Sequence, residues 1–305
     1  MEQALRNRLT FGPLMFAGLF LLLWLDHAVE HWTVGCVEPQ LRGHGLAGIG
    51  LLALLLIILP VATLEVGALF TAERLASYRL IAVLGSGSLV VHAFLTQFRG
   101  FRPVAASTMA FIVVFVMLLA ALRRAMHKQS QQAIAHMAGT VLATMYLGGL
   151  GWFLIALRVK QSSRLGGFHG TTMIILMILL VVKSTDIGAF FGGRALGRHK
   201  LIPWLSPGKT WEGLFFGVLT AAIVGLVCAP WIGYPDYNLL WWKGLIFGAL
   251  IGFVGQLGDL LESLMKRDAQ VKDSGHLIPG FGGVLDVIDS PLLAAPFAYL
   301  LFSLF

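Results

Sequence analysis

The chain carries little charge. Only 12% of its 305 residues are Asp, Glu, Lys or Arg, against 57% hydrophobic, and the mean hydropathy is +0.82. That balance excludes an ordinary soluble globular domain. Cysteine is scarce too. Cys36 and Cys228 offer neither a disulfide framework nor a zinc cluster. There is no low-complexity linker and no repeat that aligns with itself. The strict polar–apolar alternation of barrel strands is missing, which excludes a transmembrane barrel. No small-residue cleavage site follows the first apolar run, where Leu25-Asp26-His27 stands, so that run reads as a retained helix. What the sequence does have is long apolar runs of roughly 18 residues or more, each able to cross ~30 Å of hydrocarbon. Nine are counted, at about 9–25, 46–70, 80–98, 103–122, 133–157, 171–192, 211–232, 243–265 and 287–305. The expected fold is an all-α polytopic membrane protein of about nine transmembrane helices.

Loop charge sets the orientation. With a cytoplasmic N-terminus, the inner segments hold 14 Lys and Arg and the outer loops 7, with Lys183 alone inside a span. The N-terminus is therefore expected in the cytoplasm and the C-terminus outside, in a multi-pass protein of the inner (cytoplasmic) membrane. The net charge of +7 needs no nucleic-acid partner. It is the inside bias plus attraction to anionic membrane lipid.

Residues 1–165 read as a membrane scaffold of nearly featureless apolar helices, and 166–305 as a catalytic membrane region with cytoplasmic loops 193–210 and 266–286. Two motif matches in the first part are set aside. Gly43 to Gly48 reads G-x-G-x-x-G, but no strand precedes it. His27 to His31 reads HAVEH, an inverted zinc-protease pattern at the end of a span, where His and Glu cap an interfacial helix cheaply. Arg123, Arg124 and Lys128 read as topogenic charge.

The second part is different. In the sixth run, Lys183 and Asp186 are three residues apart, hence on one helical face. They form either a buried packing pair or the wall of a polar cavity. The loop that follows has an expected turn at Ser206-Pro207-Gly208, and Lys209, Thr210 and Glu212 open the next span. A helix start with a Lys and a hydroxyl suits phosphate; an ordinary cap is the other reading. Gly244, Gly248 and Gly252 have the spacing that lets membrane helices approach closely. Beyond them Asp259, Glu262, Ser263 and Lys266 share one face.

Ser263 to Ser290, SLMKRDAQVKDSGHLIPGFGGVLDVIDS, holds seven of the 37 formally charged residues. Its Pro-Gly-Phe-Gly-Gly turn can converge N–H groups on a ligand oxygen. Asp286 and Asp289 follow on one face of the ninth run. Carboxylates without His or Cys suit Mg²⁺. Mg²⁺, basic side chains and a glycine turn together suit a polyphosphate, and at a membrane surface the second substrate is expected to be a lipid.

This stretch resembles the signature of the phosphatidate cytidylyltransferases (CDP-diacylglycerol synthases). The matching positions are Ser263, Lys266-Arg267, Lys272-Asp273, Gly275, Pro279, Gly282-Gly283, Asp286 and Asp289. SPGKTWEG, from Ser206 to Gly213, and DIGAFFGGRALGRHK before it resemble further blocks of the family. The resemblance spans roughly 183–290. It departs at Phe281, where the family usually has His, and at Val287, where it usually has Arg. It implies Mg²⁺-dependent transfer from CTP to phosphatidic acid, giving CDP-diacylglycerol and pyrophosphate, in a site facing the cytoplasm. Asp259 and Asp286 would hold the metal, and with Lys266 and Arg267 form the catalytic set. Ser206, Lys209, Thr210, Ser263, Lys272, Asp273, Gly282 and Gly283 would bind substrate. Asp186, Glu212, Glu262 and Asp289 would be auxiliary. A CTP-dependent lipid kinase, a CDP-lipid synthase for another lipid, and a transporter with a re-entrant glycine gate are the alternatives. The sequence leaves a homodimer open.

Overall fold

The computed structural model describes residues 2–34, 36, 45–72, 75, 77–128, 131–165, 171–232 and 239–304. About 80% of it is helical. In chain order the elements are α1 (Glu2–Trp32), α2 (Ile49–Ala72), α3 (Arg79–Leu95), α4 (Ala105–Met126), α5 (Ala133–Thr144), a π-turn (Met145–Gly149), α6 (Leu150–Leu165) and α7 (Thr171–Leu196). There follow β1 (Lys200–Ile202), β2 (Ser206–Thr210), α8 (Trp211–Cys228), α9 (Trp241–Asp268) and α10 (Leu285–Leu304). Among the described residues, eight helical stretches are long and apolar enough to cross a membrane, with α5 and α6 running together as one of them. The fold is thus an all-α polytopic membrane architecture. The remaining apolar run forms α3, of 17 residues. At 1.5 Å per residue it is about 25 Å long, shorter than the other spans.

Two compact units form. One comprises Met1–Val159 with Asp268–Val287, the other Lys160–Arg267 with Ile288–Phe305. Most of the signature loop therefore belongs with the N-terminal helices.

In the first unit a buried ion cluster joins the first and sixth helices. Arg158 is fully buried. Its Nε donates to Asp26 Oδ2 at 2.8 Å and its Nη2 to Glu30 Oε2 at 2.6 Å. Gly50 N donates to Asp26 Oδ1 at 2.7 Å. Arg158 is therefore a core cation and no loop charge, which leaves the sequence count at 14 to 6. Glu30, the acid of the HAVEH pattern, takes part in that cluster. The GHGLAG pattern begins at residues 43–44, outside the described residues. On α3, His92 accepts a hydrogen bond from Trp152 Nε1 at 3.1 Å and turns its other ring nitrogen to Ala105 O at 2.9 Å. The Trp152 N–H can only donate, so Nδ1 is the accepting ring nitrogen and Nε2 the one that faces the carbonyl.

In the second unit small residues do the packing. A Cβ on Gly248 would collide with the Ala221 backbone of α8, and one on Gly252 would lie 2.7 Å from Thr185 Oγ1 of α7. The three helices approach that closely because these positions lack a side chain. The chain between α7 and α8 forms a two-stranded antiparallel hairpin, with Lys200 opposite Thr210 and Ile202 opposite Ser206. The turn lies at 203–205, and Ser206-Pro207-Gly208 is strand, where the sequence suggested a turn. Pro207 and Gly208 are exposed, and a proline is tolerated on an edge strand because its missing N–H faces no partner. Thr210 ends the strand and caps α8, its Oγ1 accepting from Gly213 N at 3.0 Å.

Candidate active site

The hairpin, the start of α8 and interior turns of α7 and α9, all in the second unit, line a cavity of about 340 Å³. Asp186, Lys209, Thr210, Gln256 and Asp259 line its polar side, and Phe190, Leu201 and Leu214 its apolar side. Lys209 Nζ lies 2.8 Å from Asp259 Oδ2. Gln256, itself buried, donates from Nε2 to Asp186 Oδ1 at 2.9 Å. Asp186 also pairs with Lys183 at 3.5 Å, with 51% and 39% of the two side chains exposed. Of the pair, Asp186 lines the cavity.

Asp259 belongs to an acidic cluster. Carboxylate oxygens of Asp259, Glu262 and Asp289 all lie within 4.8 Å of one another. Glu262 and Asp289 are buried. Lys266 pairs with Glu262 Oε2 at 3.1 Å, one helical turn away. The backbone explains how Asp289 arrives. A Cβ on Gly258 would stand 3.0 Å from Ser290 Cα and 3.2 Å from Asp289 O, so α9 and α10 touch at this glycine, beside Asp259. Two like charges 4 Å apart repel by about 4 kcal/mol at an effective dielectric of 20. Three carboxylates at such range are relieved by a shared proton or by cations, and Lys209 and Lys266 bring two positive charges to them.

The other predicted residues fall as follows. Arg267 reaches Leu205 O at 3.4 Å. Ser206 begins β2, half-buried, and Ser263 is half-buried on α9. Glu212 accepts from His199 Nδ1 at 2.7 Å, which ties the start of α8 to the base of the hairpin. Lys272 and Asp273 are exposed.

Within the first unit, the signature loop closes on itself. Ile278-Pro279-Gly280-Phe281 makes a turn in which Phe281 N donates to Ile278 O at 3.1 Å, with Gly280 at φ +86°. That is the geometry a type II turn demands of its third residue. Gly282, at φ +104°, pairs back to Ile278 through bonds of 2.8 and 3.0 Å. Asp286 Oδ2 accepts from Gly283 N at 2.7 Å, Ser274 N at 3.1 Å and Ser274 Oγ at 2.8 Å. The N–H groups of Phe281, Gly282 and Gly283, offered by the sequence as ligand donors, are thus engaged within the loop. Phe281, standing in the usual histidine position, turns its ring toward Gly12 of α1, with Cζ 3.6 Å from where a Cβ would be.

One residue escaped the sequence reading altogether. Glu65, on α2, is buried and accepts from Val284 N at 3.0 Å and Leu285 N at 2.8 Å. The signal was available: Glu65 is the one charged residue in a 24-residue apolar helix. A carboxylate at the centre of such a helix costs about 2.5–3.5 kcal/mol, so its retention calls for partners.

Membrane-length helices around a carboxylate–lysine site define a polytopic membrane protein. The chain belongs to the cytidylyltransferase family, whose model matches residues 43–305. It is 34% identical over 242 residues to a phosphatidate cytidylyltransferase of Bacillus subtilis, covering 78% of this chain and 85% of that protein. It is 40% identical over 173 residues to one from Brucella suis, covering 54% of this chain and 62% of the relative. With one from Staphylococcus haemolyticus it shares 43% over 135 residues, covering 44% and 49%. The matched part is under two thirds of the length of the last two.

Proposed function

We propose that the protein transfers a cytidylyl group from CTP to phosphatidic acid, releasing pyrophosphate and forming CDP-diacylglycerol. The observation that carries this reading is the cluster of Asp259, Glu262 and Asp289 beside Lys209, at the edge of a cavity with one polar and one apolar wall. The family match and the three named relatives support the same substrates.

A phosphate oxygen of phosphatidic acid attacks the α-phosphorus of CTP. The new P–O bond forms as the bond to the β-phosphate oxygen breaks, and pyrophosphate leaves with the electron pair. A phosphate monoester has a second pKa of about 6, so the nucleophile is largely ionised at neutral pH and needs no strong general base. The protein's task is then positioning and charge neutralisation. Lys209 and Lys266 offer cations to phosphate oxygens, and Arg267 a forked donor. The apolar wall at Phe190, Leu201 and Leu214 suits the first methylenes of a lipid.

The donor set is all carboxylate oxygen, with no His or Cys, which fits Mg²⁺. Asp259, Glu262 and Asp289 would hold it. When bound, the ion neutralises charge on the triphosphate as the new bond forms. The orientation inferred is a cytoplasmic N-terminus, nine spans counting α3, and a site facing the cytoplasm of the inner membrane, where CTP is made. The 14-to-6 charge count supports it.

The test is incubation of purified full-length protein with labelled CTP and Mg²⁺, with phosphatidic acid, a polyprenol or no lipid. Labelled CDP-diacylglycerol with phosphatidic acid alone is the expected result. Label in a phosphorylated polyprenol, or none in any lipid, would overturn the reading.

A further inference from the structure

The start of α10 has an unusual cap. A helix's first N–H groups have no partner within the helix. They are most often met by a Ser, Thr, Asp or Asn just before it. Here Gly283 and Val284 precede Leu285, and neither has a side-chain acceptor. The acceptor comes from another helix, 219 residues away in sequence: Glu65 takes Val284 N and Leu285 N, one on each carboxylate oxygen. Its Oε2 also lies 3.3 Å from Ser274 Oγ, the hydroxyl that Asp286 takes at 2.8 Å. The signature glycines make room for this. A Cβ on Gly283 would stand 2.7 Å from both Glu65 oxygens, and one on Gly275 would be 2.5 Å from Oε1. Those glycines are where the loop backbone meets a carboxylate.

We infer that Glu65 is the positioning residue of the signature loop. It clamps both ends of the segment from Ser274 to Leu285 and thereby fixes the hairpin and the first turn of α10, which carries Asp286. It acts through backbone N–H groups and does not itself touch substrate. A lone carboxylate in an apolar helix persists where donors surround it, and here two backbone N–H groups do, with the Ser274 hydroxyl shared between Glu65 and Asp286. The kinetic part of the inference rests on the cytidylyl-transfer reading.

Two variants of the full-length protein test it, Glu65→Gln and Ser274→Ala. Steady-state kinetics would be followed with CTP and phosphatidic acid, and amide hydrogen exchange by mass spectrometry. Gln keeps the size but presents an NH₂ to one N–H donor. Glu65→Gln is expected to lower kcat/KM for CTP about tenfold or more, with the KM for phosphatidic acid unchanged. Amides 283–285 should lose protection while α4 keeps its own. Ser274→Ala should move both readouts the same way by less. Wild-type CTP kinetics in Glu65→Gln would overturn the inference. So would a loss shared equally by both substrates and matching the folded fraction. If Glu65→Gln does not fold, Ser274→Ala decides, and unchanged CTP kinetics with unchanged protection at 283–285 overturns it. If the wild type forms no CDP-lipid, the transfer reading fails. Exchange at 283–285 then decides the clamp by itself.

Discussion

Two groups of acids, each holding one aspartate of the signature, have opposite surroundings. Asp286, with Glu65, faces hydrogen-bond donors: Gly283 N, Ser274 N, Val284 N and Leu285 N all point at a carboxylate. Asp259, Glu262 and Asp289 face one another within 4.8 Å, with Lys209 and Lys266 as ion-pair partners. The first arrangement is self-sufficient, because each charge is met by N–H groups the loop must satisfy anyway. The second is poised for something else, because like charges held together lower the free energy of any cation that joins them. Residue type does not separate an aspartate met by N–H groups from one set among other acids. The count of donors against acids does.

The largest expected effect follows from the second group. Asp259→Asn and Asp289→Asn keep size and hydrogen bonding but remove charge. Each is expected to lower Mg²⁺-dependent formation of CDP-lipid by at least ~10²-fold, since a lost transition-state contact typically costs about 2.7–4 kcal/mol. Membrane insertion and thermal unfolding should change little, because removing one of three mutually repelling charges relieves strain. Near-normal turnover in both variants, measured over a range of Mg²⁺, would remove the cluster from the catalytic centre.

Much of that cluster could be read in the sequence. Asp259, Glu262 and Lys266 are spaced to share a helical face, and Gly244, Gly248 and Gly252 announce close helix contact by their spacing alone. Apolar runs longer than the bilayer is thick left little choice of fold. What could not be read depends on contacts between residues far apart in the chain. Asp289 joins Asp259 because α9 and α10 touch at Gly258, a contact no periodicity encodes. Arg158 looked like a loop charge until Asp26 and Glu30, more than 125 residues away, buried it. Glu65 had a local signal, an isolated acid in an apolar helix, but its partners lie beyond residue 270. The hairpin turn was misplaced because Pro and Gly serve edge strands as well as turns.

A middle-sized effect tests the first group. Asp286→Asn leaves one oxygen to accept where a charged oxygen held three donors. Hydrogen bonds to a charged group contribute about 1.5–3 kcal/mol each, and neutral ones about 0.5–1.5. The variant is expected to lose about 2 kcal/mol of stability, seen as a lower Tm. Turnover should fall only about tenfold, by way of a loosened loop. If Asp286→Asn instead leaves Tm intact and removes turnover as completely as Asp259→Asn, the two groups are not chemically distinct and Asp286 is a metal ligand, as the family resemblance implied.

The smallest effect concerns Thr210, which lines the cavity and also caps α8 through Gly213 N at 3.0 Å. Its side chain is buried against Gly193 and Gly197 of the preceding segment, where a Cβ on Gly193 would lie 3.0 Å from Oγ1. A hydroxyl that accepts from a helix N–H still has its own hydrogen to donate, so the two roles are compatible and can be measured apart. Thr210→Ala removes both and should cost about 1 kcal/mol of stability, the usual value of an N-cap. Thr210→Ser restores the hydroxyl without the methyl group and should recover the cap. If the hydroxyl also donates to CTP, the KM for CTP rises severalfold in the alanine variant and returns in the serine variant, while the KM for phosphatidic acid stays constant in both. If the role is capping alone, Tm falls in the alanine variant with no change in either KM, and the nucleotide contact must be reassigned to Lys209. The comparison holds because Thr210 carries no charge: its removal alters neither the carboxylate cluster nor the loop clamp, so any shift in KM reports the hydroxyl itself.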